Sequence, residues 1–260
     1  MQSGAKTARE KPSVQITDAP SIYPGHRILA MFPFYNEELK IVQMALRLRH
    51  GLVDKIVGVN DGSTDDGPRI LRAHGIDVLD IKHTGAGACI RQAVDYGRAK
   101  GFDILVVMAG NNKDNPEEIP RLLAPIIEGH ADYVQGSRFL KGGSSANLPL
   151  FRLVAIKFLS LVFSAYCRQW CTDLTNGFRA YRLSLFDDPR INIWQDWLNK
   201  YEYEYYVHLK IYDYGYKTAE VAVTKTYPGI KGVPYTKVRP FSGWWQMLRP
   251  FVLLTLHLKK

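Results

Sequence analysis

Residues 26–51, "HRILAMFPFYNEELKIVQMALRLRHG", contain one complete structural repeat. A short apolar run ends at a proline, a polar loop follows, and the next stretch has helical spacing with acids first and Gly51 last. The reading is strand, loop, helix. "DKIVGVNDGSTDDGPRIL" (54–71) repeats the plan with a Gly/Ser/Asp loop, and "IDVLDIKH" (76–83) supplies a third short strand. "GAGACIRQAVDYGRAKG" (85–101) predicts a helix opening on small residues, and "FDILVVM" (102–108) a fourth, central strand. Strands alternating with helices of this length predict an α/β fold, a mostly parallel sheet flanked by helices on both faces. Ligands of such sheets collect at the carboxyl ends of the strands, so the loops beginning at Pro33, Asn60, His83 and Ala109 should converge.

The remainder of the chain departs from this rhythm. Residues 146–171, which include "ANLPLFRLVAIKFLSLVFSAYC", form a long apolar helical stretch interrupted by Arg152 and Lys157, too broken to read as a spanning helix. The tail "FSGWWQMLRPFVLLTLHLKK" (241–260) reads either as a core helix covering the sheet or as an interfacial membrane helix of aromatic and basic residues. The first 26 residues are polar, without an apolar signal region, and read as an arm.

With 260 residues and 46% hydrophobic content the chain can fill one α/β domain with appendages. Its formal charge of +9 suits anionic small molecules, lipid head groups or nucleic acid alike. No basic recognition helix or stacking motif supports nucleic acid. Cys89, Cys167 and Cys171 are too few for a disulfide scaffold and lack a His or Cys cluster for zinc, which fits structural thiols in a reducing, cytoplasmic compartment.

Six stretches carry the chemistry: "FPFYNEE", "VNDGSTDDG", "HTGAGACIRQA", "GNNKDNPEEIP", "QGSRFLKGG" and "DLTNGFRAYR". In this order and spacing the chain resembles glycosyltransferase family 2, most closely its dolichyl-phosphate mannose synthase and polyprenyl-phosphate sugar transferase branch. The resemblance covers about residues 27–240. It implies a GT-A fold, with a nucleotide-binding part at about 27–120, an acceptor part at about 121–240, and residues 241–260 as a C-terminal helix.

The implied activity is inverting transfer of a sugar from a UDP- or GDP-sugar to a lipid-linked (polyprenyl phosphate) or glycan acceptor, with peripheral contact at the cytoplasmic membrane face. The alternative is a nucleotide-sugar-binding protein that kept the fold after losing metal-assisted catalysis.

Residue by residue, the resemblance places Pro33, Tyr35 and Glu37 in the nucleotide pocket, although Glu37 also suits a helix-opening acid. Asp61 matches an aspartate that contacts the base, with Gly62 letting the backbone turn close to the ligand; a plain Asx turn is the other reading. Asp65 is expected to cap the helix that follows. Gly85 and Gly87 could serve only tight packing, since no G-K-[ST] follows them.

The fourth loop departs from the family's approximate D-A-D-L-Q-D-P-P-E. Alignment on Pro116-Glu117 puts Ala109 and Asn111 at the two D-x-D positions, Lys113 at the glutamine and Asp114 at the following acid. Mg²⁺ or Mn²⁺ would be left with Asp114 and Asn111, a poor set for a hard cation. Lys113 could occupy the cation's place, or could simply pair with Asp114. Arg138, Arg179 and Lys237 match basic positions near donor or acceptor phosphates. Asp173 matches the aspartate of the family's D-x-x-x-G-F-R segment and is the first candidate for a base or acceptor-orienting group. Glu202 and Glu204, in "YEYEYY", are secondary candidates, since alternating Tyr and Glu also describes one buried and one solvated face.

Overall fold

The computed structural model describes residues 23–48, 52–227 and 242–259. Seven strands form one sheet: β1 (Ile28–Phe34), β2 (Lys55–Asn60), β3 (Asp77–Asp80), β4 (Ile104–Val107), β5 (Tyr133–Ser137), β6 (Arg179–Arg182) and β7 (Thr218–Ala222). Their order across the sheet is β3-β2-β1-β4-β6-β5-β7, so the expected central strand, β4, lies in the middle. β1, β2, β3 and β4 pair in parallel, and β6 enters antiparallel to both β4 and β5. The α/β, mostly parallel architecture read from the sequence is therefore present.

Each strand's alternation supplies both faces of the sheet, as expected for strands covered on both sides. Ile28, Ala30 and Phe32 of β1 and Ile104 and Val106 of β4 join one buried cluster. It is covered by α1 (Glu38–Arg47), α2 (Gly67–Ala73) and α4 (Ile119–Ile127), through Ile41, Leu71 and Leu122 among others. Leu29, Met31, Leu105 and Val107 face the other way, under α3 (Ala86–Ala99), α5 (Leu150–Cys167), α6 (Glu202–Asp213) and α7 (Ser242–Thr255). Pro33 is tolerated near the end of β1 because the pairing with β4 stops at Met31, beyond which no amide donor is needed on that side.

Three local expectations are revised. Asp65 caps two helices: Oδ1 accepts from Gly67 N at 3.2 Å at the start of α2, and Oδ2 accepts from Glu38 N at 2.9 Å at the start of α1. "YEYEYY" opens helix α6, whose Glu202, Tyr203, Tyr205 and Tyr206 are all buried, so the alternation marks no solvated face. The tail forms a helix that covers part of the core. Trp244, Met247, Leu248 and Phe251 pack onto the core, while Trp245, Val252, Leu256 and Leu258 remain exposed.

One feature positions the site. After β7, the chain from Val223 to Tyr227 runs between the loop following β4 and the segment leading into α5. Val223 N donates to Ser137 O at 3.0 Å, Lys225 N to Ser144 O at 3.0 Å, Thr226 N to Lys113 O at 3.0 Å and Tyr227 N to Ala146 O at 3.1 Å. Glu118, below α4, accepts from Thr224 N at 2.7 Å and from Thr224 Oγ1 at 3.0 Å, and so anchors this segment from beneath.

Because Leu105 lies in the central strand with no solvent exposure, Leu105→Ala should lower unfolding free energy by about 2–5 kcal/mol. Urea denaturation followed by circular dichroism measures it; a loss within error of zero would contradict the placement of β4.

Candidate active site

The first three loops interlock at the carboxyl ends of the parallel strands. Tyr35, after β1, stacks on His83, after β3, with ring centroids 4.2 Å apart. His83 Nδ1 faces the Asp61 carbonyl at 2.9 Å and the Asp61 carboxylate Oδ2 at 3.0 Å. Asp61 Oδ1 accepts from Thr84 N at 2.7 Å and Gly85 N at 3.0 Å, just before α3. Asp61 thus ties two loops together and holds up the Tyr35–His83 stack. Gly62 has φ +75°, and a Cβ there would lie 3.0 Å from His83 N, so this turn needs glycine. A Cβ on Gly87 would lie 2.2 Å from Leu198 O, which favours the packing role of that glycine. Glu37 forms an ion pair with Lys40 at 2.9 Å.

The fourth loop is clamped to α1 by Arg47, which donates to Asn112 Oδ1 and Asn115 Oδ1 at 2.9 Å each. Inside it, Asp114 is 1% exposed. Oδ2 accepts from Ala109 N at 2.8 Å, and Oδ1 accepts from Lys225 Nζ at 2.6 Å. The same ammonium donates to Asn176 Oδ1 at 3.0 Å. The surviving acid of the loop therefore pairs with Lys225, not with its neighbour Lys113. Lys113 Nζ lies 5.4 Å from the centre of the Tyr227 ring, and the Arg152 guanidinium lies 5.7 Å from it. Burial first, and then the charges of Lys225, Arg152 and Lys40, push the Lys113 ammonium down to about 8.

These residues do not fit a divalent ion. Both oxygens of Asp114 are engaged, Ala109 offers none, and Asn111 Oδ1 is a neutral oxygen, buried and without a hydrogen-bond partner among the described residues. No group of three or more His, Cys, Asp or Glu suited to a metal occurs among the described residues. An ion about 5 Å from a single ammonium would also be repelled by roughly 7 kcal/mol at an effective dielectric of about 20. The expectation that Asp114 and Asn111 could together ligate a metal is corrected accordingly: Asp114 is the counter-charge of Lys225.

Two further expectations change. Asp173 is fully buried, and Arg138 takes both of its oxygens: Oδ2 accepts from Arg138 N at 3.0 Å and Nε at 2.7 Å, and Oδ1 accepts from Nη2 at 2.6 Å. Arg138 also donates to Thr175 Oγ1 at 2.9 Å and to the Tyr227 hydroxyl. Asp173 is thereby placed to orient Arg138 and Tyr227, buried and ion-paired where a proton-accepting base would need access to the acceptor.

Arg179 is 1% exposed. It donates to the carbonyls of Asn176 at 2.8 Å, Leu174 at 3.0 Å and Glu204 at 3.2 Å. It holds the 174–176 loop against α6, with its guanidinium engaged by these carbonyls. Glu202 is buried and paired with Arg249 at 3.3 Å, away from these groups. Lys237 lies outside the described residues.

Lys225, Asn176 and Tyr227 were not singled out by sequence reading, and Arg152 figured only as an interruption of an apolar helix. The available signal was "TAEVAVTKTYP" (218–228), where a lysine follows a strand without the turn residues that would carry it to the surface.

Solved structures share this architecture. Glucosyl-3-phosphoglycerate synthase from Mycobacterium tuberculosis, in complex with Mn²⁺, UDP and phosphoglyceric acid, superimposes with a TM-score of 0.63 at 19% identity, over 90% of this chain and 78% of that one. The fold is that of the GT-A glycosyltransferases. The family model of glycosyl transferase family 2 matches residues 30–188, and the chain belongs to that family.

Among curated relatives, polyprenol monophosphomannose synthase of Mycolicibacterium smegmatis is 31% identical over 178 residues, 65% of this chain and 67% of the relative. Undecaprenyl-phosphate mannosyltransferase of Micrococcus luteus is 33% identical over 167 residues, 60% of this chain and 66% of the relative. The chain thus spans about two thirds of the length of these relatives.

If Asp173 anchors Arg138, Asp173→Asn should lower unfolding free energy by about 3–5 kcal/mol, since it leaves a buried guanidinium without its counter-charge. Urea unfolding reads this directly. Wild-type stability combined with abolished turnover would instead restore Asp173 as the base.

Proposed function

We propose that this glycosyltransferase moves a sugar from a nucleoside diphosphate donor to a polyprenyl phosphate at a membrane surface. The observation that carries this reading is the position of Arg152. It lies in the first turn of α5, with its guanidinium on Tyr227 beside Lys113, and the rest of that helix presents an exposed apolar stripe. Leu150, Phe151, Val154, Phe158 and Leu161 are each more than half exposed, at spacings of three and four that keep them on one side. A phosphate among the cations and an isoprenoid chain along α5 would match the two halves of one amphiphilic acceptor. The names of the relatives, which specify polyprenol and undecaprenyl phosphate, support the same acceptor class.

α5 has the length and mean hydropathy, 18 residues at 1.7, to cross a bilayer. Ile156, Leu159 and Phe163 instead fix its other side into the core, and Phe163 and Tyr166 each meet Phe251 of α7 at 6.0 Å. A helix held in this way would lie in the interface, with Lys157 and Arg168 at the level of anionic head groups. The exposed Trp245, Val252 and Leu256 of α7 would extend the same contact.

On the donor side, the Tyr35–His83 stack offers an aromatic surface for a base, and Glu37 and Asn111 Oδ1 offer acceptors for donor N–H or hydroxyl groups. Asp61 and Gly62 shape that pocket from behind. In the reaction, an oxygen of the acceptor phosphate forms the new bond to the anomeric carbon while the bond to the donor diphosphate breaks, with inversion. The acceptor is already an anion, so alignment matters and a proton-accepting base is unnecessary. The negative charge that develops on the departing diphosphate falls to the surrounding cations.

The test is transfer of labelled sugar from a panel of UDP- and GDP-sugars to a polyprenyl phosphate in anionic liposomes, with flotation measured in parallel. Wild-type protein should float and transfer. Val154→Asp combined with Phe158→Asp should reduce flotation by about tenfold or more and leave nucleotide binding unchanged. A protein that does not float but sediments as a dimer, with the dimer lost in that variant, would assign the α5 stripe to a second copy and contradict the membrane reading. Nucleotide-sugar binding without turnover on any acceptor would favour the binding-only alternative.

A further inference from the structure

We propose that the phosphoanion handled by this enzyme is held by side-chain cations, Lys113 and Arg152, where the family's sequence pattern places a divalent ion, with Lys225 built in as the permanent counter-charge of Asp114. The inference rests on the transferase reading above and deepens it.

Compared with the pattern D-A-D-L-Q-D, this loop has alanine and asparagine in place of two aspartates and lysine in place of glutamine, which makes it three charges more positive. The remaining acid is taken out of play by Lys225 at 2.6 Å, in a pair whose carboxylate is 1% exposed and whose second oxygen holds a backbone amide. The substitutions are therefore coordinated. Carboxylates that would collect a cation are absent, and the last one is saturated by a lysine that is itself fixed by Asn176.

Lys225, Arg152 and Lys40 all lie close enough to Lys113 to act on its charge, with Glu37 acting against them. Lys113 and Arg152 share the Tyr227 ring, and Tyr227 is itself held by Arg138 and by Asn147, which donates to its carbonyl at 3.1 Å. An ammonium and a guanidinium fixed at one ring form a preorganised clamp, with the guanidinium able to fork across two phosphate oxygens. The anion could belong to the donor diphosphate or to the acceptor phosphate, and the experiment separates the two.

Titration calorimetry with UDP and GDP, and separately with a short-chain prenyl phosphate, is to be run in EDTA and in Mn²⁺, alongside Mn²⁺ alone followed by electron paramagnetic resonance. The nucleotide that binds should do so equally, within about twofold, in EDTA and in Mn²⁺, and the protein alone should show no Mn²⁺ site. Lys113→Ala and Arg152→Ala, both at half-buried positions and checked for unchanged thermal unfolding, should each weaken binding by about tenfold or more. Weakening confined to the prenyl phosphate upholds the clamp and assigns it to the acceptor. Nucleotide binding that falls about tenfold in EDTA and returns with Mn²⁺ overturns the proposal while leaving the transferase reading intact. Wild-type binding of both ligands by both variants overturns it as well. Failure of every nucleotide to bind under either condition contradicts the proposal and the transferase reading together.

Discussion

The ammonium of Lys225, 2.6 Å from the buried carboxylate of Asp114, fixes the central part of this site. A buried charge needs both a partner and further hydrogen bonds, and here each member has them: Asp114 accepts from Ala109 N, and Lys225 donates to Asn176. The pair joins three parts of the chain that are distant in sequence: the loop after the central strand, the segment returning from β7, and the 174–176 loop. Because Thr226 also bonds to Lys113, and Tyr227 to Ala146, the same crossing sets the distance between the β4 loop and the entry to α5. The β4 loop and the entry to α5 are thus held in register by one ion pair and a few backbone bonds.

Much of the charge around the site is paired in the interior. Asp173 and Arg138 cancel each other in the interior, as do Asp114 and Lys225, while Arg179 is satisfied by carbonyls. Lys113 and Arg152 are half-buried and lie over the Tyr227 ring, which Arg138 holds. Electrostatic stabilisation in an enzyme depends on groups that do not have to reorganise as charge develops, and fixed cations backed by buried pairs meet that requirement. The apolar stripe of α5 starts at the same point, so cationic and apolar surfaces lie side by side there, as the proposed lipid phosphate acceptor would require.

The sequence made the sheet legible because its strand and helix periods are regular from Ile28 to Val107, and because each strand ends in a polar loop. It also drew attention to the β4 loop, where the structure places the buried Asp114–Lys225 pair. It was less informative about which charged residues work and which are structural. Arg179 and Asp173 sit in a recognisable motif, yet one is satisfied by carbonyls and the other by Arg138. Composition cannot show that, because an arginine that holds a loop and one that holds a phosphate are the same letter. Lys225 was invisible for the opposite reason: it has no motif, and its importance comes from a partner 111 positions away. Asp65 was read as the cap of one helix, and its capping of α1 required the spatial approach of two loops.

The central question is what faces the phosphates of donor and acceptor. The most direct measurement is a crystal structure with bound nucleoside diphosphate and a short-chain prenyl phosphate, grown with Mn²⁺ present and recorded at the manganese absorption edge. It should show phosphate oxygens within hydrogen-bonding distance of Lys113 or Arg152, the Lys225–Asp114 pair intact, and no anomalous peak beside the β4 loop. A manganese peak between Asp114 and the diphosphate, with Lys225 displaced, would contradict it.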